Sequence, residues 1–156
     1  MQSRSWWSWK AICSDQDVDV IVNAWNRNVI PWWLLVPQGV SRAIKRRAGI
    51  EPFREVRRYG AIPLGQAVHT GPGRHPVEGI IHVAGIDLLW RASEGSIRDS
   101  VRNAVRVAEV HGYRTLATPV IGAGSGGFDE QSALAVIVAT AEAIDSAVRL
   151  TVVRFG

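Results

Sequence analysis

At 156 residues, 47% apolar and 21% charged, the chain has the length and composition of one compact α/β domain with a sizeable core. Its apolar stretches are broken by charge or glycine well short of the roughly 18 residues a membrane span needs. The opening MQSRSWWSWK lacks the continuous apolar core of a signal peptide, so a cytoplasmic protein with no membrane partner is expected. Cys13 is the sole cysteine and His69, His75, His82 and His111 stand singly, which excludes an internal disulfide and gives no zinc-ligand spacing; neither a metal nor a cofactor is expected.

In chain order, residues 17–23 (DVDVIVN) alternate and then run β-branched, as a strand entering a core does. Gly39–Ala48 places Val40, Ala43, Ile44 and Ala48 at helical spacing, and a second helix or turn spans residues 51–59. Residues 66–70 and Gly79–Ala84 read as two further strands, both buried. Residues 93–111 form a long helix with Ile97, Val101, Val105 and Ala108 on one side and Gly112 as its stop. A strand over 114–121, a helix over 130–146 and a final strand over 148–155 complete the chain. The alternation implies a mixed, largely parallel sheet with helices on both faces.

The charge balance is 18 Lys and Arg against 14 Asp and Glu, a net +4 and a sequence pI near 10.0, which favours anionic partners. Seven cations, Arg42, Lys45, Arg46, Arg47, Arg54, Arg57 and Arg58, fall within seventeen residues. Such a run reads first as a solvated helix face. A nucleic-acid contact ranks behind it, because Phe53 and Tyr59 are the only aromatics near the run.

The most informative segment is 118–129, TPVIGAGSGGFD, where an apolar strand runs into four glycines within six residues and then into a helix that Asp129 or Ser132 caps. Glycine permits positive φ and brings main-chain N–H groups close to an anion, while the helix aims its positive dipole end at the same place. In open α/β sheets ligands bind at the carboxyl ends of strands, so the loop after Asn23 and the loop after Ile121 are the expected walls of a site. The first of these carries Asn23, Asn26 and Asn28, and its Trp32 and Trp33 suit either a ligand wall or a loop core.

VDVIVNAWN (18–26), GVSRAIKRRAG (39–49), GQAVHTGPG (65–73), GIIHVAG (79–85) and PVIGAGSGGF (119–128), in this order, make the chain resemble a macrodomain over residues 18 to about 150. That family has a three-layer α/β/α fold and binds ADP-ribose, so the resemblance implies a single macrodomain over 1–156, with residues 1–11 as a divergent N-terminal strand or arm. It implies that Asn23 and Asn26 line the distal ribose and that Gly39 with Val40 wraps the diphosphate from one side. From the other side it closes Ile121, Gly122, Ala123, Gly124, Ser125, Gly126, Gly127 and Phe128. The implied partner is ADP-ribose or an ADP-ribosylated protein, bound by a monomer.

Three departures from the family pattern bear on chemistry. Hydrolytic macrodomains usually begin the helix Gly-Val-Asp, with the Asp activating a water, whereas this chain has Ser41, whose hydroxyl can orient water but cannot take up a proton at neutral pH. Catalysis, where it occurs, then rests on Asn26 and Ser41 positioning water and ribose. The first loop is longer than usual and carries PWWLLVPQ, and the position of the usual adenine-gripping Asp is Ile12, with Asp15 or Asp17 in reach only after a register shift. The expected function is ADP-ribose binding with hydrolysis of an ADP-ribosyl linkage or a related derivative, and a non-catalytic reader is the alternative. A Rossmann site is the remote one: Gly122, Gly124 and Gly127 satisfy G-x-G-x-x-G, but only 29 residues follow and Glu142 and Asp145 fall in a helix.

Overall fold

The structure, a computed structural model, describes residues 17–25, 39–124 and 126–153. Nine elements follow in chain order: β1 (Val20–Trp25), α1 (Gly39–Ala48), α2 (Glu51–Arg57), β2 (Ala67–Thr70), β3 (Gly79–Ala84), α3 (Glu94–Val110), β4 (Thr115–Pro119), α4 (Glu130–Ala143) and β5 (Arg149–Val153). The five strands form one sheet in the order β2-β3-β1-β4-β5. β1 pairs in parallel with β3 and with β4, β4 in parallel with β5, and β2 runs antiparallel along β3, so the sheet is mixed and largely parallel.

The period of two in the strands divides the core. Val20 and Val22 of β1, with Ile81 and Val83 of β3, pack beneath α3 and α4; Ile21 and Trp25, with Ile80 and Ala84, pack beneath α1 and α2 through Ile44, Phe53 and Val56. This makes three layers. The connection leaving β1 therefore passes to one face while those leaving its neighbours β3 and β4 pass to the other, which opens a crevice at the carboxyl end of β1.

Local signals account for the ends of the helices. Ser93 and Ser96 form a reciprocal capping box at the start of α3, Ser96 N–H donating to Ser93 Oγ at 3.0 Å and Ser93 N–H to Ser96 Oγ at 2.9 Å, and Gly112 follows the helix at φ +73°. Asp129 caps α4 by accepting from Ser132 N–H at 2.9 Å. Several expectations change: β1 begins at Val20 and not at Asp17, and β4 ends at Pro119, two residues short of Ile121. β1 extends past Asn23 to Trp25 because its pairing with β3 continues to Trp25 opposite Ala84. β2 is mostly half-buried instead of buried, since it is the sheet's edge. α4 stops at Ala143, three residues early, where Ile144 turns extended.

Candidate functional site

After β4 the chain enters the glycine loop, and its four glycines meet different demands. Gly122 sits at φ +89° and Gly127 at φ +63°, conformations that L side chains rarely adopt. A Cβ on Gly122 would also stand 2.8 Å from Ala92 Cβ, and one on Gly126 would meet the Gly122 carbonyl oxygen at 2.6 Å. Gly124 is exposed, needs no positive φ, and a Cβ there would meet nothing within 4 Å. Neither conformation nor packing among the described residues thus accounts for glycine at 124. The loop is braced by Phe128 N–H to Gly122 O at 3.0 Å and by Ala92 N–H to Gly126 O at 3.0 Å. Among the described residues none accepts from the N–H of Gly124 or Gly126.

The other wall is built from buried side chains. Asn23 lies within β1 on the face beneath α1 and is 0% exposed. Ser41, in the first turn of α1, donates its hydroxyl hydrogen to Asn23 Oδ1 at 2.7 Å and lies 3.3 Å from the Ala24 carbonyl. Asn23 Nδ2 meets His82 Nδ1 at 3.0 Å, and an amide nitrogen only donates, so Nδ1 accepts and the imidazole hydrogen sits on Nε2. From there it reaches Thr70 Oγ1 at 2.9 Å, and Thr70 passes its own hydrogen to Gly71 O at 3.1 Å. The result is a directional relay, Ser41 to Asn23 to His82 to Thr70, that crosses β1, β3 and β2. Burial, and then the nearby His69, push His82 down to about 3, so its ring is neutral at ordinary pH. Trp25 and Phe53 stand edge-on to it with ring centroids at 6.5 and 6.0 Å.

The residues singled out from sequence therefore divide. Gly39, Val40 and Ser41 open α1 at the carboxyl end of β1, and Ile121 to Gly124 with Gly126 to Phe128 leave the adjacent β4, so the two walls converge. Asn23 belongs to the inner relay, its amide filled by Ser41 and His82, and it reaches no solvent. Ile121 is buried under α3, and Phe128 packs against the same core while half-buried. Asp17 is exposed ahead of β1, at the opposite end of that strand from the glycine loop. Asn26, Ser125, Trp32, Trp33, Ile12, Cys13, Asp15 and the arm at 1–11 lie outside the described residues. His82 and Thr70 were not foreseen; the available signal was a lone histidine inside the apolar run IIHVA.

One further feature rims the site. After β3, Asp87 Oδ1 accepts from Leu89 N–H at 2.8 Å and Arg91 N–H at 2.9 Å, and these bonds hold its carboxyl below the usual range. The turn holds Trp90 at φ +60° and leads into Ala92, which packs on Gly122 and Gly126.

A three-layer α/β/α fold with a glycine-rich strand-to-helix loop at its switch point defines the class of the protein. The family profile described as Macro domain matches residues 22–137, and the chain belongs to that family. An O-acetyl-ADP-ribose deacetylase of Escherichia fergusonii is 37% identical over 131 residues, which span 79% of this chain and 70% of that protein. A macro domain-containing protein of Streptomyces griseus is 36% identical over 151 residues, 91% of this chain and 82% of that one. Among solved structures, the Oceanobacillus iheyensis macrodomain with ADP superposes with a TM-score of 0.78 at 26% identity, covering 92% of this chain and 80% of that chain. The Trypanosoma brucei macrodomain in complex with ADP-ribose gives 0.81 at 21% identity, covering 96% and 64%, a likeness of fold.

Proposed function

We propose that this macrodomain binds ADP-ribose in the crevice between the start of α1 and the glycine loop, and hydrolyses a bond at the distal ribose of an ADP-ribose derivative. The observation that carries the reading is Gly124, a glycine required by neither φ nor packing, beside main-chain donors with no acceptor among the described residues. The diphosphate occupies that space and its charge meets the N–H groups of the loop and the amino end of α4. The name of the Escherichia fergusonii relative supports an ester of ADP-ribose as one substrate class.

The chemistry available is positioning. Ser41 gives its hydrogen to Asn23, so it acts on substrate only by accepting a hydrogen bond or by fixing the start of α1, and it cannot serve as a base. Asn26, next after β1, is the residue we assign to orient the distal ribose and the attacking water, and the glycine loop holds the diphosphate while the bond breaks. For an ester, the water oxygen bonds to the acyl carbon, the bond from that carbon to the ribose oxygen breaks, and the ribose oxygen takes up a proton, which releases the carboxylic acid and ADP-ribose.

A second reading, a reader that binds without cleaving, is favoured by the same serine in place of a carboxylate. Calorimetry with ADP-ribose, run beside assays of ADP-ribose release from O-acetyl-ADP-ribose and from mono-ADP-ribosylated protein, separates the two. Binding with turnover that Asn26→Ala cuts more than about a hundredfold supports the hydrolase. Binding with no turnover on either substrate establishes the reader. Heat from NADH with none from millimolar ADP-ribose overturns both.

A further inference from the structure

The two helical layers carry opposite charge. Residues 42–58, spanning α1 and α2, hold seven cations against Glu51 and Glu55, a net +5, although the whole chain is only +4. The remainder of the protein is therefore net −1. Across the sheet, α3 balances three arginines against three carboxylates, and α4 carries Glu130 and Glu142 alone, so that layer is net −2. Charge dispersed for solubility would be mixed over both faces.

Packing turns the cations outward. Ile44, Phe53 and Val56 go down onto the sheet, while Arg42, Arg46, Arg54, Arg57 and Arg58 are exposed. Arg54 pairs with Glu51 at 3.0 Å, and Arg42, Arg46, Arg57 and Arg58 meet no carboxylate among the described residues. Glu55 is spent on the Gly71 N–H at 3.0 Å. Tyr59 directly follows the last two arginines; it is 53% exposed and its hydroxyl is tied to the His69 carbonyl at 2.8 Å, which leaves a braced aromatic face beside them.

We propose that the α1–α2 face is a nucleic-acid contact, recognising the phosphodiester backbone without sequence readout and separate from the ADP-ribose crevice. The cations other than Lys45 are arginines, whose planar guanidinium meets phosphate oxygens in pairs where lysine offers a point charge. Arg42 and Arg46 are one turn apart, about 6 Å along the axis. Tyr59 supplies a stacking plate for an unpaired base. Among the described residues of α1 and α2 no large apolar side chain is exposed beside the arginines; the one exposed ring, Tyr59 just after α2, carries a hydroxyl tied to the His69 carbonyl, which favours nucleic acid over a membrane surface as the occupant.

The test is fluorescence anisotropy of the full chain with labelled 20-nucleotide single-stranded DNA, RNA and duplex DNA at 50 and 200 mM salt, with polyglutamate and phosphatidylserine vesicles as rival polyanions. Four phosphate contacts predict that affinity falls roughly 50-fold for single strands and 150-fold for duplex across that range. Arg46→Glu with Arg57→Glu lowers nucleic-acid affinity more than about tenfold while ADP-ribose binding is kept, and Arg102→Glu with Arg106→Glu on α3 changes it less than about threefold. The proposal is overturned by no binding at 50 mM salt, by polyglutamate or vesicles binding as tightly as nucleic acid, or by the α1–α2 variant binding like the unaltered chain.

Discussion

The two walls of the crevice work by opposite means. In the proposed reading the glycine loop acts through main chain and through space: a Cβ at Gly124 would meet no described residue within 4 Å. The Ser41–Asn23–His82–Thr70 relay acts through side chains that are all buried, each polar atom answering the next. A buried polar atom that loses its partner costs about 1–3 kcal/mol, whereas a side chain added in open space costs the fold little. Damage to the relay should therefore register as lost stability, and damage at Gly124 as lost affinity in a protein that still folds.

The sharpest test of that contrast is Asn23→Leu, which strands His82 Nδ1 and leaves the Ser41 hydroxyl only its longer bond to the Ala24 carbonyl. The loss should be about 3 kcal/mol, seen as a fall in Tm of about 6–12 °C. A fall under about 3 °C would mean that the relay is not holding β1 to β3 and α1.

Next comes pH. His82 is neutral in the folded protein down to about 3 but titrates near 6.5 when unfolded, so between those values the unfolded chain binds the extra proton. Its contribution is complete above pH 6.5 and is lost as pH falls, by about 2 kcal/mol between pH 7.5 and 5. His69, lowered by burial and by His111, slopes the same way. Urea titrations at the two pH values measure the loss, and His82→Gln should flatten it despite being less stable throughout.

On the other wall, Gly124→Glu places a carboxylate in the phosphate space. Affinity for ADP-ribose should drop at least tenfold, about 1.4 kcal/mol, with Tm moved by no more than about 1 °C. An unchanged Kd would reduce the loop to a connector.

Ser41→Ala belongs to the relay but removes only its first donor. It should cost about 1 kcal/mol of stability, and in a hydrolase about tenfold in turnover with a flat pH–rate profile. A bell-shaped profile, with turnover abolished as in Asn26→Ala, would place a titrating base in the reaction and refute the positioning mechanism. The smallest effect is expected of Gly124→Ala, whose methyl group meets none of the described residues: stability should change by less than about 0.5 kcal/mol. A larger loss would show that the loop needs glycine there for its own folding.

Much of this was written locally. The apolar run GIIHVA between turn residues gives β3 its exact ends, the helical spacing in GVSRAIKRRA gives α1, and Ser93 and Gly112 mark the limits of α3, because caps and periodicity depend on neighbours a few residues apart. The glycine-dense strand-to-helix turn is likewise local, and it is the basis of the anion cradle proposed above. What sequence could not settle was which glycine serves which purpose. Gly122 and Gly126 are small because Ala92, from a different connection, packs against them, and Gly124 is small with nothing near it.

Asn23 marks the boundary most clearly. By itself the sequence determined that an asparagine ends an apolar β-branched run before a long loop, and only the macrodomain resemblance implied that its amide lines a ribose. Only the tertiary structure decided that β1 continues to Trp25 in register with β3, placing Asn23 opposite His82 and under Ser41, 59 and 18 residues away. Hydrogen bonds between distant residues depend on strand order and on which face each side chain takes. A one-residue shift in register would have sent all of them to the other side of the sheet.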